Sequence, residues 1–198
     1  MANDISSKRS RLLEILKTKS VFHGDFTLAS GAKSSYYIDC RLTTFDAEGA
    51  CLIGELMLGA IRKKAAELGV NVASAGGLTL GADPIALASA MAAHRAGEAE
   101  PLQAFVVRKE PKGHGKGKQI EGGFSSGDTV VVIDDVVTTG GSTLKAVDAV
   151  KAAGGNVAFV AVVVERGNTA RETIEAAGLP VISLFDQDEL LGEAPQAG

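Results

Sequence analysis

The chain has 198 residues, of which 45% are hydrophobic and 22% charged, so its composition is that of a globular protein and excludes extensive disorder. Its net charge of −4 argues against bulk electrostatic affinity for nucleic acid, and no apolar run approaches the ~18 residues that a membrane span requires. Cys40 and Cys51 show neither metal-ligand spacing nor a disulfide framework, and the N-terminus lacks the apolar segment of a signal peptide. We therefore expect a single-domain cytoplasmic protein without nucleic-acid or membrane partners.

The first part of the chain predicts a helix followed by a small two-stranded element. Residues 4–19 place Leu12 and Leu16 near helical spacing, with basic residues opposite. Residues 21–28 and 35–39 have the composition and loose alternation of short strands. We expect these two strands to form a hairpin-like element outside the main sheet.

Strands and helices alternate from residue 46 onward, which predicts an α/β fold with a parallel sheet and helices on both faces. We expect the first of these strands to be closed by Gly76 and Gly77. The predicted strands cover residues 70–75, 102–107, 129–133, 157–164 and 181–184. The predicted helices cover residues 46–68, 84–96, the stretch after the 138–142 turn as far as residue 153, and 169–177.

Glycine-rich polar segments follow these strands. Because the carboxyl ends of parallel strands share one edge of a sheet, where ligands bind in such folds, the segments predict one shared site. They cover residues 76–84, 108–123, 134–142 and 165–168.

Residues 129–143 carry the most specific chemistry of the chain. A β-branched apolar run leads to Asp134 and Asp135, where we expect the strand to end, and a glycine- and hydroxyl-rich turn at 138–142 then opens a helix. A helix N-terminus favours a bound phosphate, and carboxylates can accept hydrogen bonds from ribose hydroxyls or hold a hydrated divalent cation. The alternatives are a βα turn whose aspartates cap a helix, and a metal-binding strand end of the P-loop type. The second alternative is weakened because the chain has no G-x-x-x-x-G-K-[ST] sequence.

Residues 108–123 form a long segment dominated by glycine and cationic side chains. Its five glycines accompany Arg108, Lys109, Lys112, His114, Lys116 and Lys118. A segment of this length without its own secondary structure is uncommon in a compact domain unless it acts as a lid or is disordered. It is either a solvated surface loop or a cationic lid that stabilises the charge of a departing polyanion.

Three motifs in one order resemble those of a known family. Residues 130–142 resemble the phosphoribosyl-pyrophosphate (PRPP) motif of type I phosphoribosyltransferases. Residues 22–39 are similar to the N-terminal signature of orotate phosphoribosyltransferases, and residues 108–115 are similar to the lid of the same family. The resemblance runs from about residue 20 to residue 170, most of the chain.

The resemblance implies the type I phosphoribosyltransferase fold, in which a central parallel sheet flanked by helices carries a small hood. The hood would be built mainly from residues 1–45 and 180–198, and the core from about 46–179. The resemblance also implies a homodimer in which Arg108 and Lys112 of one subunit reach the partner's site, while Lys109 and His114 serve nearer their own.

The resemblance also implies the site residues. Asp134 and Asp135 would hold the ribose hydroxyls of PRPP, and Thr138 and Arg166 would contact orotate. Tyr36 and Tyr37 would either flank the pyrimidine ring or belong to the core of the hood, and from the residues alone Arg166 is equally well a surface arginine. The residues that would wrap the 5′-phosphate are Val136, Val137, Thr138, Thr139, Gly140, Gly141 and Ser142. The predicted catalytic residues are Lys112, Lys109, His114, Arg108, Asp134 and Asp135.

Two positions depart from the family pattern. Many members carry lysine just before the Ser-Gly of the first signature, where this chain has Ala29 with Lys33 nearby. Many also have a Tyr-Lys-Gly turn after the first strand of the sheet, where residues 79–84 around Gly81 contain no lysine. Backbone amides of this turn would still be able to bind pyrophosphate.

The resemblance implies that the chain converts orotate and PRPP to orotidine 5′-monophosphate and pyrophosphate, a step of UMP biosynthesis. The expected cofactor is Mg²⁺ carried by PRPP, without direct ligation by the protein. The alternatives are a purine-salvage phosphoribosyltransferase and a PRPP-sensing regulator without turnover.

Overall fold

The computed structural model of the chain describes residues 2–27, 33–110 and 118–192, and these form seven helices and eight strands. The helices are α1 (Ala2–Lys19), α2 (Arg41–Thr44), α3 (Ala47–Leu68), α4 (Ala82–Arg95), α5 (Gly141–Ala152), α6 (Thr169–Ala176) and α7 (Gln187–Leu191). The strands are β1 (Val21–Thr27), β2 (Lys33–Ile38), β3 (Ser74–Leu78), β4 (Gln103–Val107), β5 (Ile120–Gly122), β6 (Thr129–Val137), β7 (Asn156–Glu165) and β8 (Val181–Asp186).

Six strands form the main sheet in the order β5-β4-β3-β6-β7-β8, and every pairing is parallel except that of β4 with β5. The α/β prediction is therefore confirmed. No helix of the described ranges is long and apolar enough to cross a membrane.

Strand β6 lies at the centre of the sheet and is covered on both faces. Val131 and Ile133 belong to the apolar core that contains α3 and α4, whereas Val130 and Val132 belong to the core that contains α5 and α6. All four side chains are almost completely buried. Burial on both faces explains why this strand is a continuous apolar run instead of an alternating one.

Helices α1 and α7, the first and last helices of the described residues, contact each other. Strands β1 and β2 pair antiparallel in a separate two-stranded sheet, as predicted. Helix α1 contacts α7 through an ion pair in which Arg9 Nη2 lies 2.6 Å from Glu189 Oε1. Strand β8 belongs to the main sheet, and the division of the chain into hood and core remains a prediction.

Strand β3 differs from its predicted position. It begins at Ser74 instead of residue 70, and Gly76 and Gly77 lie within it instead of closing it. A Cβ on Gly76 would overlap the carbonyl oxygen of Phe105 on β4, and one on Gly77 would overlap that of Ile133 on β6. These glycines are therefore required by the close approach of neighbouring backbones, not by a turn.

Three further elements differ from the sequence prediction. Strand β6 continues through both aspartates to Val137, because β7 pairs with it as far as Val137↔Glu165. Strand β5 lies inside the segment predicted to be a loop, and pairs antiparallel with β4. The short helices α2 and α7 were not predicted, since five residues or fewer contain too little periodic pattern to detect.

Two glycines of α3 differ in how closely another part of the chain packs against them. A Cβ on Gly54 would lie 2.5 Å from the carbonyl oxygen of Ala88 on α4, whereas one on Gly59 would meet nothing within 4 Å. We expect Gly54→Ala to lower the free energy of unfolding by about 1–3 kcal/mol, because the two helices would have to separate. Gly59→Ala is the matched control and should raise it by about 0.5–1 kcal/mol through helix propensity alone. Denaturant titration of both variants measures the difference, and equal effects would contradict the proposed close contact.

Candidate active site

A cleft of about 580 Å³ opens at the carboxyl edge of the main sheet. It lies between the ends of β3 and β6, and the hairpin β1-β2 supplies another wall. The residues that line it are Tyr37, Ile38, Asp39, Arg41, Leu78, Thr79, Leu80, Gly81, Lys109, Asp134, Asp135, Val136, Thr138, Thr139, Ser142 and Arg166. All four segments that were predicted to share a site contribute to this lining, the second through Lys109 alone and the fourth through Arg166 alone.

Asp134 and Asp135 occupy the part of β6 that has only one neighbouring strand. Pairing of β6 with β3 ends at Val132, whereas pairing with β7 continues beyond both aspartates. Thr143 donates a hydrogen bond of 2.7 Å from its hydroxyl to Asp134 Oδ2, and the backbone N–H of Asp135 donates to Asp134 Oδ1 at 3.1 Å. Both carboxyl groups therefore lie at the floor of the cleft.

Burial dominates the electrostatics of this pair. Desolvation raises the pKa of Asp134 to about 7, and the hydrogen bond from Thr143 opposes part of this rise. Desolvation also raises the pKa of Asp135, while its own backbone contacts and the charge of Arg41 lower it. A bound group that donates hydrogen bonds or carries positive charge would favour the ionised forms of both.

Gly81 packs against the carboxylate of Asp135. A Cβ at this position would lie 2.6 Å from Asp135 Oδ1, so the turn after β3 can approach β6 only because the residue is glycine. The preceding Thr79 donates its backbone N–H to the carbonyl of Val107 at 3.0 Å, and the Thr79–Leu80 peptide bond is cis.

The turn between β6 and α5 brings hydroxyl and N–H groups to the cleft. Gly140 precedes the first residue of α5 with φ +79°, and a Cβ there would lie 3.1 Å from Ile174 of α6. Thr138, Thr139 and Ser142 line the cleft. The first N–H groups of a helix have no partner within it, so the start of α5 is suited to a phosphate. Val137 is buried in the core instead of lining the cleft.

Arg166 enters the cleft from the end of β7 and is held by the hairpin. Its Nη2 donates to Ser34 Oγ at 3.0 Å, its Nε donates to the Tyr36 hydroxyl at 3.3 Å, and its guanidinium carbon lies 4.5 Å from the centre of the Tyr36 ring. Tyr37 lines the cleft and contacts Phe26, whereas Tyr36 packs against the core of α1 and α3. The two tyrosines predicted as one group thus lie in different places.

The cationic segment is described only at its two ends. Lys109 lines the cleft, whereas Arg108 lies outside it and pairs with Glu121 of β5 at 3.4 Å. The predicted residues Lys112 and His114 lie outside the described residues, as does Ala29. Their assignments remain predictions.

Sequence reasoning missed the pair formed by Asp39 and Arg41. Arg41 donates two hydrogen bonds to Asp39, of 2.8 Å from Nε and 2.7 Å from Nη2, and both residues line the cleft. The guanidinium lowers the pKa of the Asp39 carboxyl. Opposite charges two residues apart just after a predicted strand were the only signal, and such pairs are common on protein surfaces.

Within the described ranges, no group of three or more His, Cys, Asp and Glu side chains is arranged to hold a metal ion. Asp134 and Asp135 nevertheless suit a divalent cation that arrives with a ligand. Their carboxyl groups are desolvated, and no cationic side chain appears among the groups that shift the pKa of Asp134. Most of the oxygen atoms that coordinate such a cation would come from the bound molecule and from water.

Known proteins resemble this chain in sequence and in fold. The family model of the phosphoribosyl transferase domain matches residues 86–177. The orotate phosphoribosyltransferase of Aquifex aeolicus is 46% identical over 187 residues, which cover 93% of this chain and 98% of the relative. The crystal structure of Mycobacterium tuberculosis H37Rv orotate phosphoribosyltransferase in complex with Fe(III) dicitrate is similar at TM-score 0.78 and 42% identity, covering 92% of this chain and 98% of the other. The structure of the same enzyme in complex with PRPP is similar at TM-score 0.71 and 35% identity, with coverage of 93% and 92%.

The raised pKa of Asp134 predicts a pH-dependent effect on stability. The carboxyl group of Asp134 binds its proton more tightly in the folded protein than in the unfolded chain, where the pKa of an aspartate is about 3.9. The free energy of unfolding therefore falls as the pH rises from about 3.9 through the pKa of the folded protein. Asp134→Asn removes the buried charge and keeps an oxygen that can accept from Thr143. We expect it to raise the Tm by roughly 2–6 °C at about pH 8, and to have little effect at about pH 4.

Scanning calorimetry without ligand at both pH values measures this difference. The control is Asp148→Asn, which removes an exposed carboxylate of α5 and should show no such dependence on pH. If Asp134→Asn raised the Tm equally at both pH values, burial of the charge would not be the cause of the rise.

Proposed function

The chain belongs to the orotate phosphoribosyltransferase family, and from this premise we propose that it transfers the 5-phosphoribosyl group of PRPP to orotate. The products would be orotidine 5′-monophosphate and pyrophosphate, as in the biosynthesis of UMP. The observation that carries the proposal is the single cleft that contains both the Asp134–Asp135 pair with the start of α5 and the guanidinium of Arg166. The first group suits a ribose phosphate and the second suits a carboxylated ring.

The donor would bind along β6 and α5. Asp134 and Asp135 would accept hydrogen bonds from the two ribose hydroxyls, which would replace part of the hydration that these buried carboxylates lack. Residues 136–142 would surround the 5′-phosphate with N–H and hydroxyl donors, while the positive end of the α5 dipole adds favourable charge. Gly140 would let the turn keep the backbone conformation that this arrangement needs.

The acceptor would bind at the hairpin side of the cleft. The Arg166 guanidinium would pair with the carboxylate of orotate, for which its planar donor pattern is well suited. Thr138 would donate or accept a hydrogen bond at the ring, and Tyr37 would cover one face of it. Tyr36 supports Arg166 and would not itself flank the pyrimidine.

The reaction would be a displacement at C1 of ribose. The bond from C1 to pyrophosphate breaks as a bond to orotate N1 forms with inversion, through an oxocarbenium-like transition state, and the proton of N1 is released to solvent. Arg108, Lys109, Lys112 and His114 would stabilise the negative charge of the departing pyrophosphate. Catalysis would therefore consist mainly of orientation and charge stabilisation, with little acid–base chemistry by the protein.

Mg²⁺ would enter with PRPP and would neutralise part of the pyrophosphate charge when bound. The protein would act on this complex through Asp134 and Asp135, which fit a hydrated cation as well as the ribose hydroxyls. The turn at Leu80 and Gly81 would offer backbone N–H groups to the pyrophosphate in place of a lysine.

We also propose that the chain works as a homodimer in the cytoplasm. Leu80, Leu87 and Met91 are exposed by 63%, 57% and 46% at and near α4, which a monomer would leave in contact with water. Arg108 lies outside the lining of its own cleft, as a residue that serves a partner's site would. Two cysteines without a disulfide agree with a reducing compartment.

Pyrophosphate release from purified protein with PRPP and Mg²⁺ tests the function directly. We expect release that depends on orotate and that is abolished when Mg²⁺ is chelated. Turnover with purine bases and not with orotate would make the chain a salvage enzyme. Tight PRPP binding without turnover on any base would make it a PRPP-sensing regulator.

Lys112 provides a test of the cationic segment. Lys112→Ala should lower kcat about 10²-fold or more, since it removes charge stabilisation of the leaving group, while PRPP binding measured by calorimetry changes comparatively little. Lys151→Ala is the control, because it removes an exposed lysine at the far end of α5. Wild-type turnover by Lys112→Ala would remove this residue from the mechanism.

Mixing inactive subunits tests whether Arg108 serves the partner's site. Arg108→Ala and Asp134→Asn subunits are unfolded, mixed in equal amounts and refolded. If Arg108 acts across the interface, each mixed dimer contains one intact site, and the mixture should regain about a quarter of wild-type activity. If Arg108 acts in its own subunit, every site keeps one defect and no activity returns.

A further inference from the structure

Gln187, the first residue of α7, contacts the network that holds Arg166. The Tyr36 hydroxyl lies 2.9 Å from Gln187 Oε1 and 3.3 Å from Arg166 Nε. We infer that Gln187 is a positioning residue for the pyrimidine substrate, acting through the Tyr36 hydroxyl on Arg166. The inference rests on the proposed function, and it adds a residue outside the cleft lining to orotate recognition.

Hydrogen-bond chemistry determines the direction of each contact. A guanidinium has donors only, so both hydroxyls that contact Arg166 must accept from it. The Tyr36 hydroxyl then directs its single proton to Gln187 Oε1, and the Ser34 hydroxyl directs its proton to the carbonyl of Tyr36 at 2.7 Å. Each hydroxyl donates its hydrogen bond to an acceptor on the side away from Arg166. A lone pair of each hydroxyl oxygen is therefore directed toward Arg166.

These contacts leave Arg166 able to bind a ligand. Within the described residues, Nε and one N–H of Nη2 are engaged by the hairpin, and Nη1 donates to no side chain or carbonyl. The guanidinium also stacks on the Tyr36 ring at 4.5 Å, which limits its rotation. A fixed guanidinium with unused donors toward the cleft is pre-organised for a carboxylate.

The position of Gln187 is itself fixed from both sides of α7. Asp186 and Glu189 form a capping box around the start of the helix, with the Glu189 N–H donating to Asp186 Oδ1 at 2.9 Å. Arg9 of α1 pairs with Glu189 at 2.6 Å and donates to the carbonyl of Leu184 at 3.0 Å. A five-residue helix would not be stable alone, so these contacts are what place Gln187 beside Tyr36.

This role predicts a specific kinetic signature. The carboxylate of orotate does not take part in bond making, so Arg166 would bind it equally in the ground state and the transition state. Loss of orientation at Arg166 should therefore raise the KM for orotate and leave kcat nearly unchanged. A general loss of structure would instead affect kcat and the KM for PRPP.

Gln187→Leu tests the inference, because leucine has a similar size and no acceptor. We expect the KM for orotate to rise about 3–10-fold, as for loss of one hydrogen bond, with kcat and the KM for PRPP within about twofold of wild type. Asp188→Asn, the adjacent exposed residue of α7, is the control and should change none of these values. If Gln187→Leu lowers the Tm substantially, Gln187→Met supplies the same loss of the acceptor with an unbranched chain.

A double-mutant cycle with Tyr36→Phe decides whether Gln187 acts through the tyrosine hydroxyl. Tyr36→Phe should raise the KM for orotate, and Gln187→Leu should have no further effect in that background. An unchanged KM for orotate in Gln187→Leu, an equal rise in both backgrounds, or an equal rise in the KM for PRPP would each overturn the inference. Wild-type protein without orotate-dependent turnover would refute the proposed function itself, which keeps the two failures distinct.

Discussion

The separation of β3 from β6 is the constraint on which the site depends. The two strands pair only as far as Val132, after which β6 is supported by β7 alone and the cleft opens on its free side. Asp134 and Asp135 lie in this opening, where each is half-buried and the partial loss of hydration raises its pKa, which disfavours the ionised form. The hydroxyl of Thr143 and the absence of a side chain at Gly81 are what make the arrangement feasible.

The two halves of the cleft come from different parts of the chain. The donor half is built within the α/β core, by one strand, one turn and the helix that follows. The proposed acceptor half needs the hairpin and α7. Ser34 and Tyr36 contact Arg166 across 132 and 130 residues of sequence, and Gln187 contacts Tyr36 across 151. Packing of α1, α7 and the hairpin on each other and on the sheet is therefore a condition for the proposed recognition of a base, while the proposed phosphoribosyl binding depends mainly on the core.

Sequence reasoning succeeded where the determinants are local. The apolar run of β6, the aspartate pair and the glycine-rich turn are contiguous, and the structure has this strand, turn and helix in the predicted order, while the role as a ribose-phosphate site stays a prediction. Sequence reasoning failed where the reason for a residue lies on another strand. Gly76 and Gly77 look like turn residues, and only the backbones of β4 and β6 beside them show that they belong in a strand. Gln187 was missed for a similar reason, because its partner Tyr36 lies 151 residues away in sequence. Arg41 has Asp39 close by in sequence, but ion pairs between neighbouring residues are common on protein surfaces.

The β4-β5 ladder has a consequence for how this protein can vary. Arg108 N–H donates to the Gln119 carbonyl at 2.8 Å, and the Gln119 side chain donates back to the Arg108 carbonyl at 3.1 Å. The chain thus leaves and re-enters the sheet at one fixed point. Because closing a longer loop costs only about 0.6 kcal/mol for each doubling of its length, residues can be inserted between these anchors with little loss of stability. The length of the segment between these anchors is in this way separable from the stability of the fold, and can be altered by selection or by design while the sheet register stays the same.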